Sequence, residues 1–410
     1  MKQEKILKFP KDFLWGVSTS AYQIEGGIRN DWSEWEKSEI RSKKLKVKGK
    51  NPNDFICGRA CDSYNRYEED LDLVKDLGCG AYRMGIEWAR IEPEEGKFNM
   101  EEIEHYRQVL QEAKRRDLKI VLTLWHWTNP TWLVNQGGWA NKKTIDYYLR
   151  YAELIVQELG EYVDFWITLN EPMVPLANGY LTGKFPPNKK LNIFQAIKTF
   201  TNLIQAHKKV YDSIHKTLPK AQVSITKIIN SFEPARKWFL VETFFSWLAN
   251  YCANDLFLQR IKSKIDFIGF DYYFHSRVIW YPPFKKNINK KVTDIGWEIY
   301  PEGIYQILKN LNKYNKPIYV MENGLADAED KERLDFIANH LKYIHQAIKE
   351  GVDVKSYFYW SLLDNFEWAE GWAPKFGLYE VDRKSFKRTP RPSVKVYKDI
   401  CKNNRIKITN

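Results

Sequence analysis

The chain has little of what usually announces special chemistry. Cysteine and methionine each occur five times, and histidine seven times, in 410 residues. The cysteines, at positions 57, 61, 79, 252 and 401, form an odd and irregularly spaced set. Cys57 and Cys61 lack a second ligand pair, which excludes a zinc pattern and predicts free structural thiols in a reducing, cytoplasmic compartment. No His-Glu-x-x-His segment and no glycine-rich phosphate loop occurs, so neither a metal nor an organic cofactor is expected. No apolar run approaches the roughly 18 residues that a membrane span requires. The opening stretch Met1–Gly16 also lacks the apolar core and cleavage site of a secretory signal. No membrane partner is expected. Linkers, low-complexity tracts and internal repeats are missing as well, which predicts one catalytic domain over residues 1–410.

Charge is unbalanced but weakly informative. Lys and Arg number 64 against 52 Asp and Glu, a net charge of +12. The densest basic run, Lys37 to Lys50, has no interleaved aromatics and no helix-turn-helix or zinc-finger pattern beside it. It reads as a solvated loop, and nucleic acid is not expected as a partner. What the chain does have is aromatic surface. Its 16 tryptophans exceed what a core of this size needs, and each indole N–H wants a partner, so part of the set is expected to line a cavity.

Strand-length apolar runs recur along the whole chain: Phe13–Ser18, Ala81–Glu87, Ile120–Trp125, Phe165–Leu169, Gln222–Ile228, Asp266–Tyr272, Ile318–Met321 and Ser356–Ser361. They are near-continuous rather than alternating, as in parallel strands covered on both faces. Helix-period segments separate them, among them Tyr64–Leu77, Ile103–Arg116, Thr144–Leu159, Phe194–Thr217 and Arg333–Lys349. Such alternation predicts an α/β fold, a single-domain (β/α)8 TIM barrel. A doubly wound open sheet is the alternative, but it would want a glycine-rich turn after its first strand. Helix-to-strand turns are short, whereas the segments after strands one, six and eight are long, and barrel enzymes build their sites on that side.

Two glutamates end two of these strands, in Asp164-Phe-Trp-Ile-Thr-Leu-Asn170-Glu171-Pro172 and Pro317-Ile-Tyr-Val-Met-Glu322-Asn-Gly324. A carboxylate at the end of a buried strand costs desolvation energy unless it is partnered or employed. Two of them beside one pocket fit an acid/base plus nucleophile pair of a retaining glycosidase.

The surrounding words carry a family resemblance. They are Phe13-Leu-Trp-Gly to Gln23-Ile-Glu-Gly26, Tyr82-Arg83 to Arg90, Leu124-Trp-His126-Trp127, Thr168 to Pro172, Asp266 to Tyr273, Gly296-Trp297 to Pro301, Met321 to Gly324, and Trp360 to Glu367-Trp368. Together they resemble family 1 of the glycoside hydrolases, the β-glucosidase-like family, and the stretches Glu367–Asp382 and Arg391-Pro-Ser393 look most like its archaeal-type β-glycosidases. The resemblance implies Glu171 as general acid/base and Glu322 as nucleophile, with Arg83 and Tyr273 touching the nucleophile. It implies Gln23, His126, Asn170 and Glu367 as contacts to sugar hydroxyls, with Asn170 on the 2-hydroxyl. Trp127, Trp360, Trp368 and Phe376 would supply aromatic walls, and Trp297 would flank the leaving group. The implied substrate is a small-molecule β-glycoside or oligosaccharide bearing a terminal β-D-glucosyl or β-D-galactosyl residue. The alternative is a non-catalytic glycan-binding relative, against which both glutamates argue. The oligomeric state is left open.

Two details refine this. The branch acting on phosphorylated sugars carries Ser, Lys and Tyr where this chain has Glu367, Pro374 and Phe376, so unphosphorylated sugars are expected. The family usually ends strand six in Asn-Tyr-Tyr, but here it reads Asp271-Tyr272-Tyr273. An added carboxylate in the pocket would raise its neighbours' pKa values, whereas one held by backbone donors outside it would not.

Overall fold

The computed structural model describes residues 4–409; Met1–Gln3 and Asn410, the ends of the expected domain, lie outside the described residues. Eight strands close into a barrel: β1 (Leu14–Ser18), β2 (Ala81–Gly85), β3 (Lys119–Thr123), β4 (Phe165–Asn170), β5 (Gln222–Ile228), β6 (Ile268–Tyr272), β7 (Ile318–Asn323) and β8 (Val354–Trp360). Each pairs in parallel with the next, and β8 pairs with β1 to close the ring. The barrel is filled, not hollow. Ala81, Val121, Ile167, Phe267, Met321 and Phe358 pack together inside it, all fully buried. A side chain at Gly16 would come within 2.4 Å of the Phe358 ring, so glycine is needed there for the filling to fit.

The connecting helices are α1 (Ser63–Asp76), α2 (Met100–Arg115), α3 (Thr144–Leu159), α4 (Ile193–Thr217), α5 (Leu240–Asn250), α6 (Glu302–Leu311), α7 (Arg333–Lys349) and, after β8, α8 (Ser393–Asn403). In α2 the sequence logic is plain. Ile103, Tyr106, Val109, Leu110 and Ala113 recur at helical spacing and are the buried face. Asn99 caps the start by accepting from the Glu101 and Glu102 amides, and Lys114 and Arg115 close the negative end. Losing that cap costs about 1 kcal/mol.

Two regions depart from expectation. The basic run Lys37–Lys50 contains a helix, Glu39–Val47, not a solvated loop. Its Lys, Arg and Leu residues are good helix formers, and it is anchored by buried Leu45 and Arg41. The Arg41 guanidinium lies 3.7 Å over the Trp35 ring. Beyond β5, the segments Ser231–Pro234, His275–Val278 and Lys285–Lys286 build a separate three-stranded sheet, and α5 packs on it. No described helix is long and apolar enough to cross a membrane.

Candidate active site

The strands carrying the glutamates are both irregular at their ends. Between Ile167 and Asn170 β4 gains one residue over β5, and between Val320 and Glu322 β7 gains one over β6. An extra residue re-aims the side chains beyond it. Glu171 also has φ of 42°, a left-handed conformation that costs roughly 1–3 kcal/mol in a non-glycine residue. Trp127 and Trp368 share that conformation, at 77° and 48°. Just past Glu322, a side chain on Gly324 would come within 1.8 Å of the Trp360 carbonyl oxygen, so the turn requires glycine.

Glu171, Asp271 and Glu322 are all buried, and one oxygen from each lies within 4.8 Å of the others. Among the described residues this is the one cluster of three that could hold a cation, but Arg83 and Lys227 already put positive charge beside it. Arg83 donates to one oxygen of Glu322, and the Tyr273 hydroxyl donates to the other at 2.6 Å. Burial and the Glu322 charge hold the Tyr273 phenol well above its ordinary pKa, so it remains a donor.

Glu171 has a different setting. Its Oε1 is buried without a hydrogen-bond partner. Burial pushes its pKa well up, and the charges of Asp271 and Glu322 push it further, against the weaker pull of Lys227 and Arg83. Asp271 is fully buried and raised too, by burial first and then by Glu322. Glu171 and Thr226 lie beside Asp271 without forming a well-aligned hydrogen bond to it, and no backbone donor holds it. The alternative of an aspartate satisfied by backbone outside the pocket does not describe this residue.

A chain of hydrogen bonds runs sideways from the carboxylates. Arg83 and Thr226 both donate to Oδ1 of Asn170. That fixes its amide group, so Nδ2 donates to Nε2 of His126 at 2.9 Å. His126 is held neutral, its pKa lowered by burial and by the Arg83 charge. Its proton therefore sits on Nδ1, which is buried and has no protein partner. Further round, Gln23 accepts from Ser20 at 2.8 Å and donates to the Phe366 carbonyl, to Asn365 and, at 3.5 Å, to Glu367. Burial, with Glu322 and Glu370, raises the Glu367 carboxyl to about 8.

Aromatic rings enclose these groups. Trp368 stacks on His126 at 5.7 Å and meets Trp127 at 4.6 Å, while Trp127 Nε1 donates to the Asn170 carbonyl. Trp360 and Phe376 form an apolar cluster with Tyr273 and Trp297. The structure thus brings the residues expected to act on or bind the sugar into one connected cluster. Sequence reasoning missed Thr226 and Lys227. Lys227 is buried, donates to the carbonyls of Ile228 and Ala253, and has its pKa lowered to about 8 by burial. A lysine as the one charged residue of a buried strand was the available signal.

A protonated carboxyl and an acceptor carboxylate facing each other, lined by hydroxyl-binding groups and rings, are equipped to cleave an acetal in a sugar. Comparison with known proteins agrees. The pattern of Glycosyl hydrolase family 1 matches residues 5–240 and 240–406. The 1,4-beta-D-glucan glucohydrolase of Thermotoga neapolitana is 34% identical, over 97% of this chain and 99% of its own length. The beta-galactosidase of Pyrococcus woesei is 31% identical, over 97% of each. The solved beta-glycosidase from Pyrococcus horikoshii superposes with a TM-score of 0.89 at 37% identity, covering 98% of this chain and 97% of that one. The chain belongs to glycosyl hydrolase family 1. It is a β-glycosidase with the family's TIM-barrel fold.

Proposed function

We propose that this protein is a retaining exo-β-glycosidase, working as one catalytic domain on unphosphorylated β-D-glucosides and β-D-galactosides. The closeness of the two carboxyl groups, with one oxygen of Glu171 within 4.8 Å of one of Glu322, carries the reading. It fits the roughly 5 Å of retaining enzymes and leaves no room for the water that inversion places between the two groups.

In the first step Glu171 gives its proton to the glycosidic oxygen, which becomes a neutral alcohol or phenol as the bond to the anomeric carbon breaks. Glu322 attacks that carbon from the opposite face and forms a glycosyl ester. Arg83 and Tyr273 hold the attacking carboxylate in line. In the second step Glu171, now ionised, takes a proton from water, whose oxygen displaces Glu322 and restores the β configuration. In this reading the second proton on Asn170 Nδ2 serves the 2-hydroxyl and the Nδ1 proton of His126 a further hydroxyl, with Gln23 and Glu367 taking the remaining ones. Trp360, Trp368 and Phe376 cover the C–H faces, and Trp297 flanks the leaving group. Five free thiols among the described residues fit a reducing cytoplasm.

A panel of nitrophenyl β-glycosides at one pH tests the proposal. Turnover of the gluco and galacto substrates is expected, with the β-sugar appearing first in a time-resolved NMR spectrum. Initial release of the α-sugar, or no turnover of either epimer, would overturn it.

A further inference from the structure

One face of the molecule is inside out. Helix α5, Leu240–Asn250, buries only Glu242 and Ser246. Those two and Asn250 tie it to the sheet beneath: Glu242 accepts from Arg236, and Ser246 and Asn250 donate to the Phe232 carbonyl. Its apolar side chains face water instead, with Trp247 60% and Phe244 56% exposed, and Trp238 just before it 76% exposed. The loop that follows the sheet continues this surface. Phe284 and Phe245 line one groove, and Trp280 is 51% exposed. Isolated exposed hydrophobes need no explanation, but a contiguous aromatic set marks a contact surface.

Its charge says what it contacts. Through residues 236–252 and 280–293 the only carboxylate is the buried Glu242, whereas Lys237, Lys285, Lys286 and Lys290 are exposed; Lys291, at the edge, pairs with Glu332 at 2.8 Å. A second copy joined by a two-fold axis would set those lysines against themselves with no acidic partner in the patch. Phenylalanine, tryptophan and leucine on the open face of a short helix, with exposed lysines on the loop beside it, are the composition that settles into the headgroup layer of a bilayer.

We infer that this face docks on an anionic lipid surface, with α5 lying in the interface and the lysines of the 280–292 loop on the headgroups. The loop leaves the sugar pocket at Tyr273 and returns to it at Trp297, so the docked surface lies beside the mouth of the site. The expectation of no membrane partner rests on spanning segments, and an interfacial helix needs only one apolar face. The inference does not depend on which sugar the enzyme prefers.

The test is sedimentation of the full-length protein with vesicles of phosphatidylcholine alone or mixed with phosphatidylglycerol, at low and high salt. Binding to the mixed vesicles is expected, weakened by salt as screening shortens the reach of the lysines. Lys285→Glu with Lys286→Glu and Lys290→Glu should weaken it at least roughly tenfold. Phe244→Ser with Trp247→Ser should abolish it, and turnover of an aryl β-glucoside checks that both variants are folded. A dye on Cys252, the only exposed cysteine among the described residues, should shift to the blue when the mixed vesicles are added. No binding to either vesicle, or equal binding by the wild type and the lysine variant, would overturn the inference. So would a dimer in sedimentation velocity that the Phe244/Trp247 variant dissociates while vesicle binding is lacking.

Discussion

Glu171 and Glu322 end strands of the same barrel, each just past an added residue, yet their surroundings differ in kind. Glu322 accepts hydrogen bonds on both oxygens, from Arg83 and Tyr273. Glu171 has an oxygen with no partner, and the carboxyl groups of Asp271 and Glu322 beside it raise its pKa further. In the proposed mechanism the difference teaches that the residue type does not decide the role. Donors prepare a carboxylate to attack, while burial beside other carboxylates prepares an acid that holds its proton near neutrality.

Removing Glu322 should have the largest effect, because in the proposed mechanism it alone forms the covalent intermediate. Glu322→Ala should lose activity on every β-glycoside, on the order of 10⁴-fold or more. Azide should restore turnover and yield the α-glycosyl azide, from a single displacement.

Glu171→Ala sharpens the contrast because its loss should depend on the substrate. Alkyl glucosides, which need a proton on the leaving oxygen, should slow by about 10²–10⁴-fold. Dinitrophenyl glucoside should still form the intermediate, and azide should trap it as the β-glycosyl azide. Identical azide products from the two variants would erase the comparison.

Much of this arrangement was legible in the sequence. Strands buried on both faces must be apolar throughout, so their runs marked all eight barrel strands to within a few residues, and the glutamates stood out as charge at their ends. What escaped did so for physical reasons. Lys227 lies within an apolar run whose average hides one charge, although its desolvation cost made it worth noticing. Hydrophobic periodicity reports that α5 has an apolar face but not which way it points, because the pattern is the same whether that face meets a core or water. The Lys37–Lys50 run reads as solvated by charge alone. Its helix depends on Leu45 and on the stacking of Arg41 over Trp35, a contact only the fold creates.

Asp271 tests the electrostatic half of the comparison. Its ionised form raises the pKa of Glu171, so removing it should let Glu171 ionise sooner. In Asp271→Asn the alkaline limb of the kcat/KM profile should move to lower pH, with the acid limb nearly fixed. An unmoved alkaline limb would mean that burial and Glu322, without Asp271, set the Glu171 proton.

The smallest effect is on stability, and it asks whether burial acts alike on a carboxyl away from the bond-breaking centre. Glu367 is raised to about 8, from roughly 4.3 in an unfolded chain. The folded state therefore binds the proton more tightly, and the stability this gives is full below about pH 4 and lost as pH rises through about 8. In Glu367→Gln that loss is missing. The difference in stability, variant minus wild type, should grow steadily from pH 5 to pH 8, measured by urea unfolding without substrate. The side chain is partly open to the pocket, so the gain should be on the order of 1–2 kcal/mol rather than the full shift. Asp31, Glu36 and Glu87, each raised to about 7 by burial, remain in the variant and keep part of the slope. A difference that stays flat with pH would show that solvent reaches Glu367 and that burial governs only the carboxyls deep in the barrel mouth.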